Sequence, residues 1–218
     1  MEINSSLYQN SSATSINKKN TNFGATKLYN VNLKKMVNGN MDKFIPAEII
    51  KLDPNDAADK SQISKLFGPW SRTEYGEDSF ANFMHNIEGN YFVTAIKDKT
   101  QELSKKITCF IQTTDGKNAP NKTNYEIVYL QAAPNLKKTS EAIKGSGELS
   151  MYNAVKEAKE NGFQKVHVLS TNNPFYEHLG FDKKLEIPIE DKEGGVFELP
   201  AQKFDEFLNK IAKKYNLK

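Results

Sequence analysis

The chain has 218 residues, of which 38% are apolar and 26% are charged, a balance typical of a soluble globular protein with a core of ordinary size. Its 30 basic and 27 acidic residues are spread along the sequence and leave a formal charge of +3, which argues against a nucleic-acid-binding surface. The single cysteine excludes an intrachain disulfide, and no apolar stretch is long enough to span a membrane.

The N-terminal 22 residues have an unusual composition. They are rich in Asn, Ser and Thr, contain almost no acid, and follow neither a helical nor a strand period. We therefore expect a disordered leader over residues 1–22, which accounts for the low mean hydropathy of -0.66. Cys109 without a partner favours a reducing, cytoplasmic location. A leader of this kind is also similar to those of some secreted bacterial effectors, so secretion stays open.

An N-terminal extension is predicted over residues 23–47. It is hairpin-like, because apolar segments lie on both sides of the turn dipeptide Asn38-Gly39. The main domain is expected over residues 48–200. Residues 201–218 then predict a C-terminal amphipathic helix that packs on this domain through one apolar stripe.

The first half of the main domain predicts a strand, two helices and three further strands. Asp56 offers an N-cap for the first helix, which should end at Gly68-Pro69. Runs rich in β-branched and aromatic residues indicate strands that pair with one another. The predicted strands are 49–52, 91–97, 106–113 and 126–132, and the predicted helices are 56–67 and 77–87.

The second half begins with a glycine-containing loop and a helix. Apolar residues recur at helical spacing from Leu149 to Phe163, and Gly162 should stop the helix. A short apolar strand over 166–169 is expected to be buried on both faces. Pro174 suits the first turn of a short helix that ends at Gly180. Two further strands are predicted over 184–189 and 195–199.

The loop before the second-half helix carries the pattern Lys144-Gly-Ser-Gly-Glu148, called the phosphate loop below. The first N–H groups of a helix have no acceptor within it, and the helix dipole adds partial positive charge there. Gly145 and Gly147 leave these amides uncovered. Such a helix start attracts a phosphate group.

Downstream, the segment from Asn173 ends in Phe175-Tyr-Glu-His-Leu-Gly-Phe181. This ending, together with the order strand, loop, helix and strand before it, resembles the acetyl-CoA-binding core of the GNAT acetyltransferase superfamily over residues 48–190. The resemblance implies an α/β (α+β) fold with a mixed, largely antiparallel central sheet flanked by helices. It also implies an N-acetyltransferase that uses acetyl-CoA as co-substrate and a primary amine of a small molecule or protein as acceptor.

The resemblance also implies which residues bind coenzyme A. In the superfamily, the fourth strand of the sheet contacts the pantetheine arm, and the following loop holds the pyrophosphate. Carried onto this sequence, the binding residues are Leu130, Gln131, Ala132, Lys144, Gly145, Ser146, Gly147, Glu148, Asn173 and Phe175. Glu148 is expected to cap the helix amides.

Tyr176 is the implied general acid, which protonates the departing thiolate. Glu126 is the candidate base that frees the amine of its proton. Two departures from the family pattern are visible: Ala142 stands where the loop usually has Gln or Arg, and Gln131 stands where an acid is common. No metal is expected, because the three histidines show no ligand spacing.

Several alternatives stay open at this point. The chain could be a catalytically weak or inactive GNAT-fold protein that binds coenzyme A, or an interaction protein that uses its leader and last helix. Trp70 and Tyr75 could line an acceptor pocket or pack between helices. The sequence predicts neither the acceptor nor the oligomeric state, and it predicts no membrane or nucleic-acid partner.

Overall fold

One sheet organises the part of the chain that the structure, a computed structural model, describes: residues 24–71, 73, 76–115, 123–134, 141–189 and 192–217. Its strands are β1 (Thr26–Val37), β2 (Asn40–Leu52), β3 (Asn90–Ile96), β4 (Ile107–Thr114), β5 (Asn124–Ala132), β6 (Glu141–Lys144), β7 (Lys165–Ser170), β8 (Asp182–Ile189) and β9 (Lys192–Pro200). They lie in the order β6-β1-β2-β3-β4-β5-β7-β9-β8. Only β5 and β7 pair in parallel among these described strands, so the predicted mixed, largely antiparallel sheet is confirmed.

Seven helices accompany the described strands. They are α1 (Ala57–Ser64), α2 (Phe67–Trp70), α3 (Gly76–Met84), α4 (Leu103–Lys106), α5 (Ser146–Glu160), α6 (Asn173–Leu179) and α7 (Phe204–Tyr215), and a 3-10 turn at Ala201–Lys203 precedes α7. Asp56 caps α1 as predicted, because its Oδ1 accepts the N–H groups of Ala58 and Asp59 at 2.8 and 2.9 Å. No helix of the described chain is long and apolar enough to span a bilayer.

The elements differ from the sequence prediction at three places. Gly68 and Pro69 do not end a helix but lie inside α2. Proline is tolerated there because the first-turn N–H groups have no intrahelical acceptor. Strand β6 and helix α4 were not predicted, since each is only four residues long and has a mixed polar sequence.

The hairpin of the N-terminal extension belongs to the central sheet. β1 and β2 pair antiparallel from Thr26↔Lys51 to Val37↔Asn40. The predicted boundary between residues 47 and 48 falls inside β2, which pairs with β3 from Ala47 onward. On its other side, β1 pairs with β6, the strand that leads into the phosphate loop. The leader predicted over residues 1–22 lies outside the described residues.

Two apolar clusters lie on opposite faces of the sheet. The larger one joins Val31, Leu33 and alternate residues of the other strands to the buried faces of α5, α6 and α7. The smaller one lies under α1 to α4 and contains Trp70, which packs edge-to-face on Phe80 with ring centroids 5.4 Å apart. Trp70 is therefore a buried packing residue, and Tyr75 lies outside the described residues.

The parallel pair β5 and β7 separates partway along its length. Their ladder runs from Asn124↔Lys165 only to Ile127↔Val168. Beyond it, β5 continues beside β4 as far as Ala132, and β7 continues beside β9 as far as Ser170. A register shift against β4 places Val128 as an extra residue in β5, and such a bulge bends a strand. The two strands therefore diverge, and a cleft opens between them.

Candidate active site

A cleft of about 860 Å³ occupies the space between the diverging strands. Its walls come from β5, from the end of β7, from the phosphate loop at the start of α5, and from α6. Eleven of the twelve residues predicted from the sequence line it: Glu126, Leu130, Gln131, Ala132, Lys144, Gly145, Ser146, Gly147, Glu148, Phe175 and Tyr176. The fold thus brings together residues from positions 126 to 176 in one concave surface.

Asn173 is the predicted site residue that does not line the cleft. Its side-chain amide donates to the carbonyl oxygen of Glu193 at 3.4 Å, so it faces β9. Its Oδ1 atom is buried without a partner among the described residues. Asn173 therefore belongs to the contact between α6 and β9.

The phosphate loop presents backbone N–H groups to the cleft. The N–H of Leu149 donates to the carbonyl oxygen of Gly145 at 2.9 Å, which is the first hydrogen bond of the α5 ladder. The N–H groups of Ser146, Gly147 and Glu148 precede it, where a helix has no acceptor for them. No side chain caps this end of α5. The buried Oγ of Ser146 also has no partner among the described residues, so the loop offers several donors to an anion.

Gly145 is required by the packing of the protein itself. Its φ of +103° is disfavoured for residues with a side chain. A Cβ atom at this position would lie 2.4 Å from Cε1 of Tyr215, on α7. At Gly147 a Cβ atom would approach Cζ of Phe175 to 3.3 Å, which is tight but less severe. The two glycines thus allow α7 and α6 to approach the loop closely.

Glu148 does not cap the helix, and that expectation was wrong. Its carboxylate instead accepts a hydrogen bond from the hydroxyl of Tyr215 at 3.0 Å and forms an ion pair with Lys214, whose Nζ lies 2.7 Å from Oε2. Both partners lie on α7. Sequence reasoning missed these two residues, because the apolar stripe of α7 indicates only that it packs on the domain.

Tyr176 lies in the apolar core and in the cleft wall at the same time. It is 5% exposed, and its ring stacks on Phe197 with centroids 5.6 Å apart. Burial raises the pKa of its phenol above the usual value of 10.0, and the neighbouring Cys109 adds to this effect. Tyr176 is therefore protonated at neutral pH and can donate a proton.

Cys109 lies on β4 opposite Ala132 of β5 and is fully buried. Burial raises the pKa of its thiol to about 12, although a hydrogen bond with Ser150 opposes the shift. Ser150 is also within hydrogen-bond distance of Thr94, at 2.9 Å between the hydroxyl oxygens. A buried, protonated thiol is a poor nucleophile. Cys109 is thus a packing residue of the core.

Glu126 lies where the cleft closes. It pairs with His167 on β7 and with Thr114 on β4, inside the region where all three strands are still hydrogen-bonded. Its side chain is exposed and lines the cleft. Gln131 lies farther along β5, and its amide donates to the carbonyl oxygen of Ala132 at 3.0 Å.

Two exposed apolar side chains line the opening between the strands. Val128, the extra residue of the β5 bulge, is 39% exposed, and Leu169 of β7 is 53% exposed. The expectation that β7 is buried on both faces was therefore wrong. Val166 and Val168 are buried in the larger apolar cluster, but the other face of β7, which carries His167 and Leu169, contributes no residue to the smaller cluster. Nearby, burial raises the pKa of Tyr129, and the carboxylate of Asp78 on α3 adds to the shift.

No protein-family model matches the chain, and no curated protein matches it. Its structure is nevertheless similar to solved structures. A candidate GNAT-family acetyltransferase from Desulfovibrio desulfuricans is 10% identical, with 70% of this chain and 99% of that chain covered and a TM-score of 0.51. A candidate N-acetyltransferase from Lactobacillus plantarum is 13% identical, with 71% and 98% covered and a TM-score of 0.51.

A third similar structure covers more of this chain. It is an uncharacterized protein from Bacillus halodurans, 10% identical, with 88% of this chain and 98% of that chain covered and a TM-score of 0.55. This chain combines an overall similarity to these structures with its strand order, the divergence of β5 from β7, and the phosphate loop at the start of α5. The chain has the GNAT acetyltransferase fold.

Proposed function

We propose that the protein is an acetyl-CoA-dependent N-acetyltransferase that acts on a primary amine. The observation that carries the proposal is the cleft between β5 and β7, which has N–H donors of α5 at one place in its wall and the protonated Tyr176 at another. The two similar structures described as candidate acetyltransferases support the same activity. The diphosphate, the pantetheine arm and the thioester would each meet a chemically suitable part of this cleft.

The diphosphate of coenzyme A would bind at the phosphate loop. The N–H groups of residues 146–148 and the buried hydroxyl of Ser146 supply hydrogen-bond donors. Lys144 lines the cleft and supplies positive charge, which compensates for Ala142 at the place where related loops have Gln or Arg. The pantetheine arm would lie along Leu130, Gln131 and Ala132 of β5, as an added strand does at a sheet edge.

Transfer is then an acyl substitution between bound reactants. The neutral amine nitrogen attacks the thioester carbonyl, a C–N bond forms and the C–S bond breaks. The proton of the Tyr176 hydroxyl goes to the departing sulfur, and the proton of the amine goes to a base. Most of the acceleration comes from holding the reactants together, because a neutral amine already attacks thioesters.

Glu126 is the proposed base, acting directly or through water. An ammonium ion has no lone pair for attack, so the acceptor must lose a proton before or during the reaction. Glu126 is exposed and carries the carboxylate at the closed end of the cleft. Gln131 cannot take this role, since an amide does not accept a proton at neutral pH.

The test compares Tyr176→Phe with the wild type in a thiol-release assay against a panel of amines. We expect the turnover rate to fall about a hundredfold, the low end for loss of a general acid, because a thiolate is already a fair leaving group. The affinity for coenzyme A, measured by calorimetry, should stay unchanged.

Tyr125→Phe is the matched control for this experiment. Tyr125 is equally buried on β5, but its hydroxyl bonds Thr113 and it does not line the cleft. This variant should lose some stability and keep its turnover. Equal rates for Tyr176→Phe and the wild type would remove Tyr176 from the mechanism.

A second candidate function is coenzyme binding without transfer. Two observations favour this alternative: position 131 holds Gln instead of an acid, and Tyr176 is deeply buried among aromatic rings. In the same assays, this alternative predicts heat of binding with coenzyme A and no thiol release with any amine of the panel.

A further inference from the structure

Glu148 places a carboxylate in the first turn of α5, directly beside the N–H groups of the phosphate loop. Gly145 is the N-cap, so Glu148 stands at the third helical position. A Glu at this position commonly bends back and accepts the N–H of the N-cap residue. Its negative charge also interacts favourably with the start of a helix.

Both tendencies would oppose a bound diphosphate. A carboxylate that folds onto the loop would occupy the same N–H donors, and a nearby negative charge would repel a second anion. A sequence with Glu at this place therefore contains a potential competitor of the coenzyme. Its location in the folded protein decides whether it competes.

The structure holds Glu148 away from the loop through the C-terminal end of α7. Lys214 Nζ lies 2.8 Å from Oε1 and 2.7 Å from Oε2, so it contacts both carboxylate oxygens. The Tyr215 hydroxyl donates to Oε2 at 3.0 Å, and Nε2 of His178 lies 4.0 Å from Oε1. The Glu148 side chain is 16% exposed, so this charge neutralisation takes place in a partly dehydrated environment.

Tyr215 itself contacts two other parts of the chain, the phosphate loop and β1. Its ring occupies the space that a Cβ atom of Gly145 would need. Its carbonyl oxygen accepts a hydrogen bond from Asn32 Nδ2 at 3.1 Å, and Lys34 Nζ lies 5.2 Å from the ring centroid. The end of α7 thus contacts both β1 and the phosphate loop.

We propose that Lys214 and Tyr215 are positioning residues for coenzyme binding, which keep the Glu148 carboxylate neutralised and away from the amides of the phosphate loop. The inference rests on the proposed function, because it assumes that these amides bind the diphosphate of coenzyme A. It assigns the C-terminal helix a part in the site that its apolar stripe alone does not indicate.

The test is a rescue experiment measured by calorimetry with coenzyme A. In the double variant Lys214→Met and Tyr215→Phe, the ring of residue 215 still packs on Gly145, but Glu148 loses both partners. We expect the affinity for coenzyme A to fall about tenfold, because the released carboxylate then competes with the diphosphate for the N–H groups at the start of α5. Adding Glu148→Gln to this variant should return the affinity to about the wild-type value, because the competing charge is gone.

Lys213→Met is the matched control, since it removes an exposed lysine from the adjacent position of the same helix. It should bind as the wild type does. Circular dichroism and thermal melting of each variant check that it is folded at the temperature of the binding measurement. If the double variant unfolds, Lys214→Met alone with and without Glu148→Gln makes the same comparison.

The outcomes separate the two proposals. Wild-type protein that binds no coenzyme A at millimolar concentration overturns the proposed function and this inference with it. Wild-type binding that is weakened in the double variant, but not restored by Glu148→Gln, shows that α7 only braces the loop, and this overturns the inference alone. Unchanged affinity in the double variant also overturns it.

Discussion

At the scale of single residues, Gly145 shows how one position serves two purposes. Its left-handed backbone turns the chain from β6 into α5, and its missing side chain makes room for Tyr215. The loop glycines were predicted because they uncover amides. The structure adds that Gly145 is needed even without a ligand, since the Tyr215 ring already fills the space beside it.

Gly145→Ala should therefore destabilise the protein by about 3 kcal/mol, the sum of backbone strain and overpacking. Gly162→Ala is the matched control, because its φ is +75° but nothing lies within 4 Å of the added Cβ. Strain alone should cost that variant about 1 kcal/mol. Urea unfolding of both variants gives the two free energies, and equal losses would contradict the role of Tyr215.

Tyr176 also has two roles at this scale. The resemblance of its sequence segment implies a general acid, and the structure places its ring in the core while it lines the cleft. The same burial that packs the ring keeps the phenol protonated. Packing and chemistry therefore do not exclude each other at this position.

At the scale of elements, α7 has an apolar stripe that was visible in the sequence and is buried in the structure. Phe204, Phe207, Ile211 and Tyr215 are each at most 3% exposed. The stripe packs mainly against α5. Its spacing was predictable because helical period alone fixes which residues share a face.

Ile211→Ala should lower the free energy of unfolding by about 2 to 5 kcal/mol, the usual cost of a large cavity in a core. Asn209→Ala is the control on the same helix, because Asn209 is exposed and the change should be nearly neutral. Chemical denaturation measures both. A loss below about 1 kcal/mol for Ile211→Ala would show that α7 is not an integral part of the core.

The element that was hardest to predict is β6. Its four residues pair with β1 and extend the sheet at the edge opposite β8. Residues 141–144 have no apolar alternation that would distinguish them from a loop. Their strand conformation depends on the open edge of β1, a partner more than a hundred residues earlier in the chain.

At the scale of the whole molecule, the divergence of two strands creates the cleft. β5 stays hydrogen-bonded to β4, and β7 stays hydrogen-bonded to β9. The open space between β5 and β7 therefore leaves neither strand without a paired neighbour. The cleft is thus preformed in the fold. A preformed site binds without a large ordering cost.

Coenzyme A should therefore raise the melting temperature. At a concentration of about 100 times Kd, binding stabilises the native state by about 2.7 kcal/mol. For a chain of this size, that corresponds to a shift of about 5 to 10 °C. Thermal melting with and without coenzyme A measures it, with adenosine as the control ligand that lacks the diphosphate. No shift at millimolar coenzyme A would contradict the phosphate loop as an anion site.

The sequence by itself determined the local features of this protein. Apolar period and turn residues gave the long strands and helices, Asp56 gave a helix start, and the segment ending at Phe181 gave the resemblance to a fold. Most of the predicted site residues follow from that resemblance, and the cleft gathers them. These features depend on neighbours within a few positions, which a sequence displays directly.

Only the tertiary structure decided the contacts between distant segments. It showed that the side chain of Asn173 bonds β9, that Leu169 of β7 is exposed, and that Lys214 and Tyr215 bind the carboxylate of Glu148. Each of these depends on which elements meet across the sheet. Which elements contact one another is determined by the packing of the whole core, so it cannot be predicted from a local sequence pattern.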